Sequence, residues 1–174
     1  MGQRGAQAVF MPSKYVFPGG AVDAGDHGDP AMVGPDCARR LAVHAPAVVP
    51  ASALIGAALR EVAEETGLAL RPLPGVLRFV FRAITPPGRT RRFDARFFLA
   101  PATAVDGDPE DFGAAADELR HLHWIGLRDA RALDLPFITE VVLSEVTALL
   151  AGQTQPGVPF FDNSGARPVF HRLV

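Results

Sequence analysis

Apolar and polar positions follow three different patterns along the chain. Over residues 51–66 the period is helical. At ~100° per residue, Ile55, Leu59, Val62 and Thr66 fall on one side, while Glu61, Glu64 and Glu65 gather on an adjacent one. Gly67 follows, where a left-handed cap favours glycine. Val76–Ile84 and Arg92–Ala100 are rich in β-branched and aromatic residues, and Thr85-Pro86-Pro87-Gly88 between them is a turn, so the pair reads as a hairpin. An Asp-rich loop (Asp106–Asp117) leads to a strand at Leu119–Leu127, a short helix at Leu127–Leu133 and an amphipathic helix at Phe137–Ala151. The tail after Gly152 is loop-like until a final strand at Pro168–Leu173. Residues 21–50 are rich in Gly, Asp, Pro and Ala, with a short helix at Cys37–Ala45. There is no internal repeat. This mixed order predicts one α+β domain over 1–174, a mixed β-sheet flanked by helices.

Composition narrows the function. With 48% apolar residues, the 174-residue chain can bury a core without disulfides or a structural metal. A net charge of −2 supplies no basic field, so neither nucleic acid nor an anionic membrane is the expected partner. A small polyanion remains open, given a local basic patch or a bound cation. Cys37 is the only cysteine, which excludes a thiolate cluster within one chain. No run approaches the ~20 apolar residues of a membrane span, and a cytoplasmic location is expected.

The helix carrying Glu61, Glu64 and Glu65 bears the main chemical signal. Three carboxylates within one turn repel each other unless something positive lies among them. Arg60 and water could balance them as a solvated face. Alternatively they could hold Mg²⁺, which takes oxygen ligands and shares itself with substrate phosphates. Other chemistries have less support. There is no G-x-S-x-G elbow around Ser13, Ser52, Ser144 or Ser164, and no phosphate-binding G-x-x-x-x-G-K-[ST] loop. His121 and His123 would share one face of a strand but have no third nitrogen or sulfur ligand nearby in sequence. Cys37, beside Arg39 and Arg40, lacks a Cys–His–Asn pattern.

Context separates the two readings of the glutamates. Arg60-Glu61-Val62-Ala63-Glu64-Glu65-Thr66-Gly67-Leu68 resembles, without a gap, the second half of the Nudix signature R-E-U-x-E-E-x-G-U, where U is a bulky aliphatic residue. Phe17-Pro18-Gly19-Gly20 resembles its beginning, and Asp26 stands where the signature has Glu. The resemblance implies an α/β/α sandwich in which a loop–helix–loop holds Mg²⁺ or Mn²⁺. It further implies a hydrolase of phosphoanhydride bonds in small nucleoside-diphosphate-linked compounds. By the same resemblance Glu61, Glu64 and Glu65 are metal ligands, one of them also a base toward water, and Arg60 orients a glutamate. Gly20 lets the loop pack against the site, and the Gly19-Gly20 turn offers a carbonyl. Some members draw a further carboxylate from the region of Glu118. An exposed loop acid is the plainer reading there, and Glu110 is a weaker rival.

The chain departs from the signature twice. Thirty-three residues, 27–59, separate Asp26 from Arg60, where the signature has seven. Residues 27–51 are therefore read as an insertion, and Asp26 as either the displaced first acid or a plain loop residue. A split box is similar to the subgroup of peroxisomal coenzyme A diphosphatases and their bacterial relatives. So are Phe10-Met11-Pro12-Ser13-Lys14-Tyr15-Val16-Phe17-Pro18-Gly19-Gly20, Ile84-Thr85-Pro86-Pro87-Gly88, Arg92-Phe93-Asp94 and Arg96-Phe97-Phe98. That likeness makes coenzyme A or an acyl derivative the leading substrate candidate. Arg89, Arg91 and Arg92 would then hold a substrate phosphate, unless they are a solvated hairpin tip. Lys14 and Arg82 have similar claims.

The second departure is that the Gly-Gly turn comes at residue 19, leaving no evident strand before it. A missing strand exposes an edge. The expectation is a start further upstream, a second copy covering the edge as in a homodimer, or an impaired domain. Two readings without turnover stay open: a Nudix-fold nucleotide-binding module, and an interaction subunit recruiting a partner along that edge.

Overall fold

A computed structural model describes residues 1–43, 49–89 and 91–174. Its strands are β1 (Gly2–Arg4), β2 (Tyr15–Val16), β3 (Ala69–Leu70), β4 (Arg78–Ile84), β5 (Asp94–Leu99), β6 (Val105–Asp106), β7 (Leu119–Arg120), β8 (Val158–Asp162) and β9 (Val169–Leu173). Its helices are α1 (Pro35–Ala42), α2 (Ala51–Thr66), α3 (Leu127–Ala130) and α4 (Phe137–Leu150). The main sheet runs β5-β4-β8-β9, parallel between β4 and β8 and antiparallel elsewhere. Short sheets β2-β1-β7 and β3-β6 complete an α+β domain.

A β-bulge in β4 determines which residues face which helix layer. The register against β5 shifts between Phe79 and Phe81, which places two consecutive residues on one face. Phe79 joins Leu41 of α1, Leu54 and Ile55 of α2, Val158, Phe160 and Leu173 in one core. Val80 and Phe81 both join Val142 and Val146 of α4 in the other. The sheet is therefore sandwiched between α1/α2 and α4. Arg82, next along, returns to the α1/α2 face. There its Nη1 donates to the Val43 carbonyl and its guanidinium lies 4.3 Å from the Phe160 ring centroid.

Helix α2 forms over the residues read for it; the hairpin forms too, each strand beginning two residues later than read, at Arg78 and Asp94, and α4 ends one residue earlier. Other segments differ. Contrary to the expectation of a sheet lacking its opening strand, Gly2–Arg4 pairs antiparallel with both Tyr15–Val16 and Leu119–Arg120. Gly-Gln-Arg has no strand pattern of its own, and close packing selects it: a Cβ on Gly2 would lie 2.8 Å from Leu119 Cβ. The strand read over Leu119–Leu127 stops at Arg120, because His121 turns to φ 51°. That also breaks up the His121/His123 pair, and His123 Nδ1 instead meets the His121 carbonyl at 2.6 Å.

The tail holds strand β8, unread in sequence because Pro156-Gly157 and Pro159 punctuate it. Residues 27–51 are more than a surface insertion, since Met32, Val33 and Leu41 are buried in the core beside α2. The helix read at Cys37–Ala45 begins earlier, at Pro35, and ends at Ala42. Its positions 44 and 45 lie outside the described residues, as do 46–48 of the insertion and Thr90 of the hairpin turn. Among the described residues no helix is long and apolar enough to cross a membrane.

Candidate active site

The C-terminal half of α2 lies against two loops, and glycines allow both approaches. Gly56 faces the chain at Asp26-His27 so closely that a Cβ would sit 2.4 Å from the His27 nitrogen. Gly28 N–H donates to the Ser52 carbonyl at 2.8 Å. This crossing carries Asp26 to Arg60 despite the long separation in sequence. Arg60 Nε donates to Asp26 Oδ1 at 2.8 Å and Nη2 to Oδ2 at 3.0 Å. Its Nη1 donates to Glu61 Oε1 at 2.7 Å and to Glu64 Oε2 at 3.1 Å, and Nη2 also to the Ala21 carbonyl at 2.9 Å. These bonds match the five donors of a guanidinium. The Asp26 bond, with Glu61 next, holds the Arg60 proton more firmly than usual, and the same guanidinium lowers the Asp26 pKa.

The three glutamates are not equivalent. Glu64 is exposed and reaches back to Arg60. Glu61 is largely covered and lies against Gly20, where a Cβ would fall 2.2 Å from Glu61 Oε1. Glu65 is 2% exposed, and its Oε2 accepts a hydrogen bond from Gly19 N–H at 2.7 Å. Burial above all, with the nearby Glu118 and Glu61 charges, pushes the Glu65 pKa up to about 7 against the pull of Gly19 N–H and Arg4.

Glu118 comes to this group through two anchors. Ala116 N–H donates to the Glu64 carbonyl at 2.8 Å. Gly67, at φ 74°, also packs against the Ala114-Ala115 backbone, where an added Cβ would stand 3.0 Å away. From the other side, Arg4 Nη2 donates to Glu118 Oε1 at 3.1 Å.

Glu61 and Glu65 offer hard oxygen ligands to a divalent cation beside the Gly19-Gly20 turn, while among the described residues no three such side chains are already gathered as a metal site. Glu65 is buried beside Glu61 and Glu118 with its pKa raised, which is the imbalance that a cation relieves. Gly20 keeps open the wall on which the Glu61 carboxylate rests. Glu61, Glu65 and the Gly19-Gly20 backbone would form its inner side, with Glu64 and Glu118 at the rim.

The basic candidates lie elsewhere. Arg89, Arg91 and Arg92 are exposed at the hairpin tip, and Arg92 Nε donates to the Thr85 carbonyl at 3.2 Å. Among the described residues no ion pair joins them to the glutamates. Phe10 does pack on Phe93 at 5.0 Å between centroids, so the segment leading to Gly19-Gly20 touches that end of the hairpin. Lys14 pairs with Asp134. Arg82 is buried, and Asp94 accepts two 2.8 Å bonds from it. Glu110 is fixed in a local turn by its N–H to Asp108. Arg4 escaped the sequence reading as a site member, whereas Asp26, read there as either the displaced first acid or a plain loop residue, is bonded to Arg60. Asp26 had a signal in its spacing from Gly20, but Arg4 had none.

The family model for the NUDIX domain matches residues 48–145, more than half of the chain, though position 48 lies outside the described residues. The chain belongs to the Nudix family, whose members generally hydrolyse nucleoside-diphosphate-linked compounds with divalent metal ions. No curated protein and no solved structure matches it.

Proposed function

We propose that this protein hydrolyses a phosphoanhydride bond in a nucleoside-diphosphate-linked compound, with coenzyme A or an acyl derivative as the leading substrate. The observation that carries the reading is the placement of Glu61 and Glu65 against the Gly19-Gly20 turn, with Glu61 braced by Arg60. When bound, Mg²⁺ or Mn²⁺ supplies charge neutralisation at the phosphoryl oxygens. The chain's part is to hold those carboxylates in place and to take a proton. Arg60 fixes Glu61 and Glu64 by charge-assisted bonds. Gly19 N–H fixes Glu65. One glutamate accepts the proton of the attacking water as its oxygen bonds to one phosphorus. The bond from that phosphorus to the bridging oxygen breaks, and two phosphate products leave.

The coenzyme A reading is supported by the segments resembling that subgroup, which meet in space where Phe10 lies on Phe93. Arg89, Arg91 and Arg92 stand at that end of the hairpin, available to a substrate phosphate.

The test is hydrolysis with Mg²⁺ or Mn²⁺ of coenzyme A, acyl-coenzyme A, ADP-ribose, NADH and diadenosine polyphosphates. Metal-dependent turnover is expected, lost in Glu64→Gln, with the coenzyme A compounds preferred. Folded protein without turnover would overturn the hydrolase reading. Turnover of another compound alone would overturn only the substrate.

A further inference from the structure

Arg4 and Glu118 form an ion pair that resembles an ordinary surface contact, since Glu118 is 55% exposed. Such pairs contribute little by themselves. Three features set this one apart. First, strand pairing brings the two backbones together: Arg4 pairs with Leu119 across β1 and β7, and Glu118 is the residue just before Leu119. Second, the pair lies near the candidate site, because Ala116, two residues before Glu118, donates its N–H to the Glu64 carbonyl at 2.8 Å. Third, it walls a cavity of about 350 Å³, lined also by residues 5–8 and Arg120. Arg4 Nε is buried without a hydrogen-bond partner, so pairing along β1 holds this side chain where its own polar needs are only partly met.

We propose that Arg4 is a positioning residue, which fixes the Glu118 carboxylate at the rim of the candidate metal site. Without Arg4, Glu118 has solvent on its open side and no other side-chain partner among the described residues. The other anchors of the segment act on its backbone and on neighbouring residues, at Ala114–Ala116 and Leu119, and not on the carboxylate. Partners of this kind change metal affinity or activity by ~10–100-fold when removed. The inference rests on the hydrolase reading above and adds to it a residue from the opening strand.

The experiment is a double-mutant cycle of Arg4→Met and Glu118→Gln, with Arg4→Lys as the conservative variant and thermal unfolding as the check on folding. Two quantities are read: the Mn²⁺ dissociation constant, from the spin signal of free Mn²⁺, and kcat and KM separately. Arg4→Met is expected to weaken Mn²⁺ binding and lower kcat by ~10–100-fold, with KM nearly constant. Adding it to Glu118→Gln should produce no further loss. Arg4→Lys should restore most of both quantities.

Additive losses, wild-type behaviour of Arg4→Met, or tighter Mn²⁺ binding in that variant would overturn the proposal. If Arg4→Met fails to fold, Arg4→Gln, which removes the charge but keeps a polar side chain, takes its place in the cycle and decides by the same non-additivity. A wild-type-like Glu118→Gln beside an inactive Glu64→Gln would overturn the positioning role and leave the hydrolase intact. Absence of both turnover and Mn²⁺ binding in the folded parent chain would overturn both.

Discussion

Replacing Glu65 with Gln is expected to make the metal-free protein more stable at neutral pH while lowering metal-dependent turnover by roughly 10³-fold. The two effects share one cause. Glu65 is buried beside the Glu61 and Glu118 carboxylates, and its pKa rises from 4.5 to about 7. The folded state therefore holds this proton more tightly than the unfolded chain does. Its stabilising contribution is complete below about pH 4.5 and is lost as pH climbs through about 7. Above that, the carboxylate is ionised in a place that disfavours it. Allowing for partial solvent screening, the cost is roughly 1–3 kcal/mol.

Gln removes this charge. Its carbonyl can still accept from Gly19 N–H, and its amide can donate to the neighbouring carboxylates. The metal-free Glu65→Gln variant should melt roughly 3–10 °C higher at pH 8. Below about pH 4.5 the two melting temperatures should converge. Unfolding scans across pH in a chelator check the first half, and turnover with metal checks the second. A variant that is destabilised at high pH would show that burial does not strain this carboxylate. In the wild-type protein, metal binding should release a proton near pH 7, so Mn²⁺ affinity should rise with pH through that range.

Gly20→Ala is expected to cost ~10²-fold in turnover, with a smaller change in stability. The new Cβ would stand 2.2 Å from Glu61 Oε1 and 2.5 Å from its carboxyl carbon, so the carboxylate must move. It cannot move freely, because Arg60 Nη1 grips it at 2.7 Å while its other donors are engaged by Asp26, Ala21 and Glu64. A displacement of ~1 Å at a reacting group is enough for a loss of this size. Gly25→Ala is the control, since nothing lies within 4 Å of its added methyl group. Kinetics of the two variants side by side measure the effect, and equal rates would remove Glu61 from the site.

Much of the site was legible because its information is local. The helix period over 51–66 and Gly67 are properties of neighbouring residues, and they located α2 correctly. The hairpin was equally local, with a turn of Pro-Pro-Gly between two aromatic runs. What stayed hidden depends on pairings between distant segments. Strand β1 is three polar or glycine residues, made a strand only by partners at residues 15–16 and 119–120. Strand β8 contains Pro159, whose missing N–H argues against a sheet interior, yet burial of Val158 and Phe160 outweighs it. The bond between Asp26 and Arg60 depends on two glycines crossing, Gly28 and Gly56, which no spacing rule reveals. Likewise, the equal acidity implied by E-x-x-E-E conceals three environments. Glu64 is solvated, Glu61 sits against a glycine, and Glu65 is buried.

The central claim is that this carboxylate cluster directs water onto a phosphoanhydride. The most direct measurement is turnover of the diphosphate panel in heavy-oxygen water with Mg²⁺, followed by mass analysis of both products. The account predicts one heavy oxygen per turnover, in one of the two phosphate products, and no reaction once a chelator removes the metal. Folded protein that leaves every compound intact, or products that carry no label, would contradict it.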